Sequence, residues 1–169
     1  DGQTVTLLED IDLALTVSLK QEKSITLNAN GKTVKNSTDL WDNPSKDDCN
    51  WSLISVKSGS LTITGNGSFL AKANDCYAFD VQDQNATLTI ENGEFVGNIH
   101  AVYVLEGTAN IKGGTYSIIQ KTSTQGLEDE FVLNLYDPNR KAGTAHMYVT
   151  GGTFYGFNPS DCKAEGANT

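Results

Sequence analysis

The chain has 169 residues, enough for one domain with a real core. Its formal charge of −9 and pI near 4.5 exclude nucleic acid and anionic membrane as natural partners, because phosphate would be repelled. No apolar run approaches the roughly 18 residues of a membrane-crossing helix, so membrane insertion is not expected, and three cysteines exclude a dense disulfide framework.

The opening residues, Asp1-Gly2, lack an initiator Met and a signal-like stretch, so the chain reads as a processed or excised piece. Residues 1–30 form a first coil or cap, with strands expected at Thr4–Leu8, Leu15–Leu19 and Ser24–Asn28. Five segments then align along the chain. They are Ile25-Thr-Leu-Asn-Ala-Asn-Gly31, Leu61-Thr-Ile-Thr-Gly-Asn-Gly67, Leu88-Thr-Ile-Glu-Asn-Gly93, Ala109-Asn-Ile-Lys-Gly-Gly114 and Met147-Tyr-Val-Thr-Gly-Gly152. Each alternates and then bends at Asn-Gly or Gly-Gly, which burying one face and supplying positive φ both require. Two residues past the glycine stands an aromatic in four of the five: Phe69, Phe95, Tyr116 and Phe154. They read as an internal column, with a ligand-stacking stripe as the alternative reading.

The glycine spacings are 36, 26, 21 and 38. The shortest is the bare repeat and the others carry insertions. A second strand recurs in each repeat, with inward pairs Ile54/Val56, Phe79/Val81, Val102/Val104 and Leu133/Leu135. Ser55, Asp80, Tyr103 and Asn134 then point outward. No segment shows a helical period. The expectation is one all-β domain over 1–169, a single-stranded right-handed parallel β-helix (solenoid) of about six coils, with a polar C-terminal tail at 163–169.

Thr4-Val-Thr-Leu-Leu-Glu-Asp-Ile followed by Ser24-Ile-Thr-Leu-Asn-Ala-Asn-Gly-Lys-Thr-Val resembles the opening of pectate-lyase-like β-helices on gut bacterial surfaces. Gly151-Gly-Thr-Phe-Tyr-Gly-Phe-Asn-Pro-Ser-Asp resembles the closing repeat of β-helix domains in bacterial surface proteins and phage or prophage tail proteins. The resemblance spans the chain and implies an extracellular, cell-surface or virion-surface setting, with a homotrimer if the chain belongs to a tail spike. Its motifs encode bends and ladders, so they specify fold rather than activity.

What breaks the repeat points to a site. Two insertions, Lys35–Asn50 and Ser117–Glu130, fall at the same corner, and the two repeats between them are short there. This predicts a groove floored by Lys72, Asn74, Asp75, Tyr77, Asn98 and His100 and walled by Trp41 or Trp51. Asp48 and Glu128 come from the flanking loops. Rings beside carboxylates and amides suit carbohydrate. The candidate ligand-binding residues are therefore Trp41, Asp48, Trp51, Asp75, Tyr77, Asn98, His100 and Glu128. Cys49 and Cys76 flank the same corner, which leaves both a bridge and reduced thiols open.

Catalytic motifs are missing. The Gly-His-Gly and Arg-Ile-Lys motifs of polygalacturonases do not occur, His100 reads as an exposed or corner histidine, and the single Arg140 lies in another loop. Asp48, Asp75 and Glu128 come from the corner where a pair of carboxylates for glycoside hydrolysis, about 5–9.5 Å apart, would sit. Asp39, Asp42, Asp47 and Asp48 could give part of a calcium shell, but no calcium-loop spacing is present, so no cofactor is expected and calcium is the one candidate metal. The leading expectation is a non-catalytic attachment module that binds glycan, such as host-surface polysaccharide. The alternatives are a polysaccharide lyase or glycoside hydrolase, and a purely structural spacer or assembly domain.

Overall fold

The structure, a computed structural model, describes residues 2–40, 51–72, 75–120 and 131–160. In chain order it contains β1 (Gln3–Thr6), β2 (Ile11–Asp12), β3 (Val17–Leu19), β4 (Ser24–Asn28), β5 (Thr33–Lys35), β6 (Ser52–Val56), β7 (Ser60–Thr64) and β8 (Ser68–Leu70). There follow β9 (Tyr77–Ile90), β10 (Glu94–Gly97), β11 (His100–Ile111), β12 (Thr115–Ile118), β13 (Leu133–Leu135), α1 (Asp137–Ala142), β14 (Ala145–Val149) and β15 (Thr153–Phe154). The protein is all-β, with two parallel sheets and almost no helix. One sheet runs β1-β4-β7-β9-β11-β13, with β14 on β11 and β3-β6 joining at β9; the other runs β2-β5-β8-β10-β12-β15.

Pairing recurs at every third strand through the first half: β1 with β4 with β7, β2 with β5 with β8, and β3 with β6. Parallel strands joined this way are compatible with a β-helix. Strands β9 and β11 each run through what the repeat shows as two strands. The first half of β9 pairs with β6 and its second half with β7.

The registers follow the sequence alignment position by position. Ile25, Leu61, Leu88, Ala109 and Met147 stand in one ladder. Phe69, Phe95, Tyr116 and Phe154 stand in another, extended by Val34 and Ile11. The aromatic rings stack at centroid distances of 5.3, 5.1 and 5.0 Å with planes within 15°. Phe69, Phe95 and Tyr116 are fully buried, so this column is core. The Tyr116 hydroxyl donates to the Gly113 carbonyl at 2.6 Å, which satisfies the one polar atom in the stack, and burial pushes its acidity far down. The bend before Phe95, Tyr116 and Phe154 needs glycine: φ is +121° at Gly93, +95° at Gly114 and +118° at Gly152.

Three expectations are corrected. Strand boundaries in the first coil shift to Gln3–Thr6 and Val17–Leu19, with the extra short β2 between them, while Ser24–Asn28 stands as read. A helix, α1, exists where none was expected. It has no long apolar period because its ends make it: Pro138 sits in the first turn, Asp137 bonds Arg140 (2.7 Å) and Lys141 (2.6 Å), and Gly143 closes it in the left-handed region. Those two cations hold the Asp137 carboxyl below its ordinary range. Finally, Ser55, Asp80 and Asn134 do not lie in solvent. They keep the expected register, Ser55 to Asp80 to Tyr103 to Asn134, but Ser55, Asp80 and Asn134 are buried. Among the described residues no helix is long and apolar enough to cross a membrane.

Candidate functional site

The corner between β10 and β11 is built by close backbone approach. A Cβ on Gly97 would stand 1.8 Å from the His100 carbonyl oxygen, so only glycine fits this tight turn. Asn98 follows. Its side-chain oxygen accepts from the Asp75 amide at 2.6 Å and its own amide donates to the Cys76 carbonyl at 2.7 Å. The Gln120 amide donates to the Asn98 carbonyl, and the Gln120 side chain donates to Asp75 Oδ1 at 2.6 Å. One tier earlier Asn36 does similar work, accepting from the Lys72 amide at 2.7 Å, while Lys72 Nζ reaches Asp39 at 3.0 Å. Asp75 and Asn98 are thus brought together, both buried, and they tie neighbouring tiers to each other. Cys76 is buried beside them, and desolvation pushes its thiol up to about 11, opposed by hydrogen bonding to the Leu40 backbone and Asn36.

From this corner β11 carries His100 onto the face of the sheet away from the core. The rungs there are Ser52–Tyr77–His100 and Ser55–Asp80–Tyr103–Asn134. Tyr77 lies against His100 and Tyr103, with ring centroids 5.2 and 5.1 Å away. His100, expected to be exposed, is buried, and both its nitrogens are engaged. Nδ1 lies 2.7 Å from the Phe131 carbonyl, which can only accept, so Nδ1 carries the proton. Nε2 then accepts from Asn134 Nδ2 at 3.0 Å. Burial pulls the imidazole down to about 4, against the pull of its bonds to the Phe131 and Ile99 backbone. His100 is neutral across ordinary pH.

Asp80 is 1% exposed. Desolvation pushes its carboxyl up to about 6; Ser55, Gln82, Ser52 and, through space, Lys57 pull the other way. Gln82 Nε2 donates to Oδ2 at 2.6 Å. The Ser52 and Ser55 hydroxyls act on the same carboxyl as hydrogen-bond donors, whereas Asn134 Oδ1 is buried without a partner. Each such atom costs about 1–3 kcal/mol, and native chains bury few of them. What this face leaves accessible is its two half-buried phenol rings, Tyr77 and Tyr103; the carboxylate, hydroxyls and amide beside them are buried.

Of the residues expected from sequence, Tyr77 and His100 meet on this face. Trp51 stands just before β6, half-buried, with its carbonyl accepting from the Tyr77 amide at 2.6 Å. Asp75 and Asn98 sit in the corner, one turn before the face. Trp41, Asp48, Glu128, Asn74 and Cys49 lie outside the described residues, as do Asp42 and Asp47. Among the described residues no cluster of three or more His, Cys, Asp or Glu could hold a metal ion. Sequence reasoning did not place Ser52, Ser55, Asp80, Tyr103 and Asn134 beside Tyr77 and His100. The available signal was that their ladder carries a different polar residue at each rung.

No protein family, curated protein or solved structure matches this chain. The likeness to pectate-lyase-like β-helices therefore rests on the sequence motifs and the two parallel sheets.

Proposed function

We propose that the chain is a right-handed parallel β-helix of about six coils that serves as a non-catalytic glycan-recognition module on a cell or virion surface. The every-third-strand pairing supports the coil reading, and parallel crossovers are right-handed in nearly all proteins. The observation that supports the binding reading is the pair of half-buried rings, Tyr77 and Tyr103, 5.1 Å apart on a sheet face that also carries Ser52, Ser55, Asp80 and Asn134. A sugar stacks its apolar face on such rings. Binding rather than catalysis is favoured because His100 has both nitrogens committed and Asp75 spends a carboxylate oxygen on Gln120.

A glycan array followed by calorimetric titration tests this. Tyr77→Ala should weaken the best ligand by about tenfold or more, the effect of losing about 1.4 kcal/mol of stacking. Absence of binding to any surface glycan at millimolar concentration would overturn the proposal.

A further inference from the structure

Strand β14 carries two rings side by side in water. Tyr148 is 56% exposed, and the exposed His146 ring lies 6.3 Å from it with the planes within 8°. Both point outward, since the alternate residues Ala145 and Met147 pack on the core. We infer that this ring pair heads a second carbohydrate-binding surface, separate from the Tyr77–Tyr103 face, along which an extended neutral glycan lies across successive tiers. The inference extends the glycan-recognition reading to another part of the sheet and stands on different residues.

The register carries the surface on from the rings. The row behind Tyr148 continues through Asn110, Thr89, Thr62 and Thr26 at successive tiers, and none of these is buried. Behind His146 stand Thr108 and Thr87. Tiers are about 4.8 Å apart and alternate residues of one strand about 6.6 Å, so the sheet presents hydroxyls and an amide on a regular grid. An extended pyranose chain advances by a step similar to the tier spacing at each sugar. Threonine is an ordinary strand former, and its hydroxyls alone would point to no ligand. The rings are what strand formation does not account for. They make one flat apolar platform at the end of the grid, open to a sugar face.

The polar groups beside the platform have capacity to spare. His146 Nε2 lies 3.1 Å from the Gly143 carbonyl, which can only accept, so Nε2 carries the proton and Nδ1 of the neutral ring is an acceptor for a sugar hydroxyl. Asn110 Nδ2 donates to Thr89 Oγ1 at 3.4 Å, which leaves its other N–H and its carbonyl oxygen for a ligand. The charges bordering these rows, Glu91 and Lys112, meet each other at 3.0 Å. The chain as a whole carries −9, which lowers the local concentration of any polyanion. The ligand class is therefore a neutral, extended glycan rather than a uronate or sulfated one.

The experiment is calorimetric titration of the whole chain with linear gluco-, manno- and xylo-oligosaccharides of increasing length and with uronate oligomers, for wild type, Tyr148→Ala, Asn110→Ala and Tyr77→Ala, with sedimentation of the same samples. Tyr148 is exposed, so its truncation leaves the fold intact. Affinity for the best neutral series should rise with chain length, and Tyr148→Ala should weaken it about tenfold, with a smaller loss for Asn110→Ala. Tyr77→Ala should leave the Tyr148-dependent binding in place. Binding that Tyr77→Ala abolishes and Tyr148→Ala leaves unchanged overturns the second surface and keeps recognition at Tyr77. Uronate oligomers binding as tightly as neutral ones overturn the ligand class. Self-association of the wild type that Tyr148→Ala removes makes the face a contact between copies and overturns the proposal. No binding in any series overturns both surfaces.

Discussion

Two ladders run along this molecule, and they are built by the same stacking. Inside, Phe69, Phe95, Tyr116 and Phe154 repeat one kind of side chain at each rung, and the only polar atom is bonded within its own turn. Outside, Ser55, Asp80, Tyr103 and Asn134 occupy equivalent rungs with four different polar side chains, and three of the four are buried. The fold asks for the first ladder, since like rings in register fill the interior without polar cost. It does not ask for the second, which takes a carboxylate, a hydroxyl and an amide out of water at a cost in stability. A ladder of like rungs is scaffold. A buried ladder of unlike polar rungs is not something the stacking itself requires.

The sharpest way to break that distinction is to cut each ladder and compare losses. Phe95→Ala removes the middle ring of the inner stack, which touches Phe69, Phe79 and Tyr116. A cost of about 3–5 kcal/mol is expected. For a domain of this size that corresponds to a fall in Tm of roughly 10 °C or more, read by thermal denaturation. If truncation of a fully buried ring cost under about 1 kcal/mol, the inner ladder would not be scaffold.

The fold was readable because both of its devices are local. Glycine bends and the aromatic two residues beyond them sit at fixed offsets, and in a stacked chain equal offsets become equal heights. The alignment of Ile25, Leu61, Leu88, Ala109 and Met147 therefore became a strand register without adjustment. The short helix escaped because six residues with capping chemistry have no period to detect. The site was half legible. Tyr77 and His100 were reached through the short corners between the insertions. Asp80 was seen only as an outward residue, since alternation says which way a side chain points and not whether water reaches it. Asp75 and Asn98 stood in the right region but in another role, because a sequence does not reveal that a buried amide will be consumed by the backbone of the next tier.

The second comparison lies within the outer face, where two buried groups push stability in opposite directions. Asp80 keeps its proton to about 6 in the fold against an ordinary 3.8, so the stability it contributes is full below about 3.8 and is lost as pH rises through about 6. His100 ionises near 4 in the fold against an ordinary 6.5, so its contribution is full above about 6.5 and is lost as pH falls through about 4. Across the window between, the two slopes cancel. Asp80→Asn should unmask the histidine and give stability that rises with pH relative to wild type; His100→Gln should unmask the carboxyl and give the opposite slope. Each difference should reach on the order of 2–3 kcal/mol, with Asp80→Asn more stable than wild type near neutral pH. Urea denaturation across that pH range decides it, and matching slopes for the two variants would refute the account.

The smallest effect separates unlike rungs from buried ones. Glu91 and Lys112 follow the paired Ile90 and Ile111 on adjacent strands, and their side chains meet across the tiers at 3.0 Å. This rung pairs different polar residues, as the outer ladder does. Unlike Asp80, both partners are substantially exposed, so each is solvated with or without the other. Lys112→Ala should then cost less than about 0.5 kcal/mol, and raised salt should shrink even that, because water and ions screen an exposed pair. Denaturation at low and high ionic strength measures both. A larger, salt-insensitive loss would mean that polar variety alone marks a structurally committed ladder. The expected small one assigns that meaning to burial, which Asp80, Ser55 and Asn134 have and Lys112 lacks.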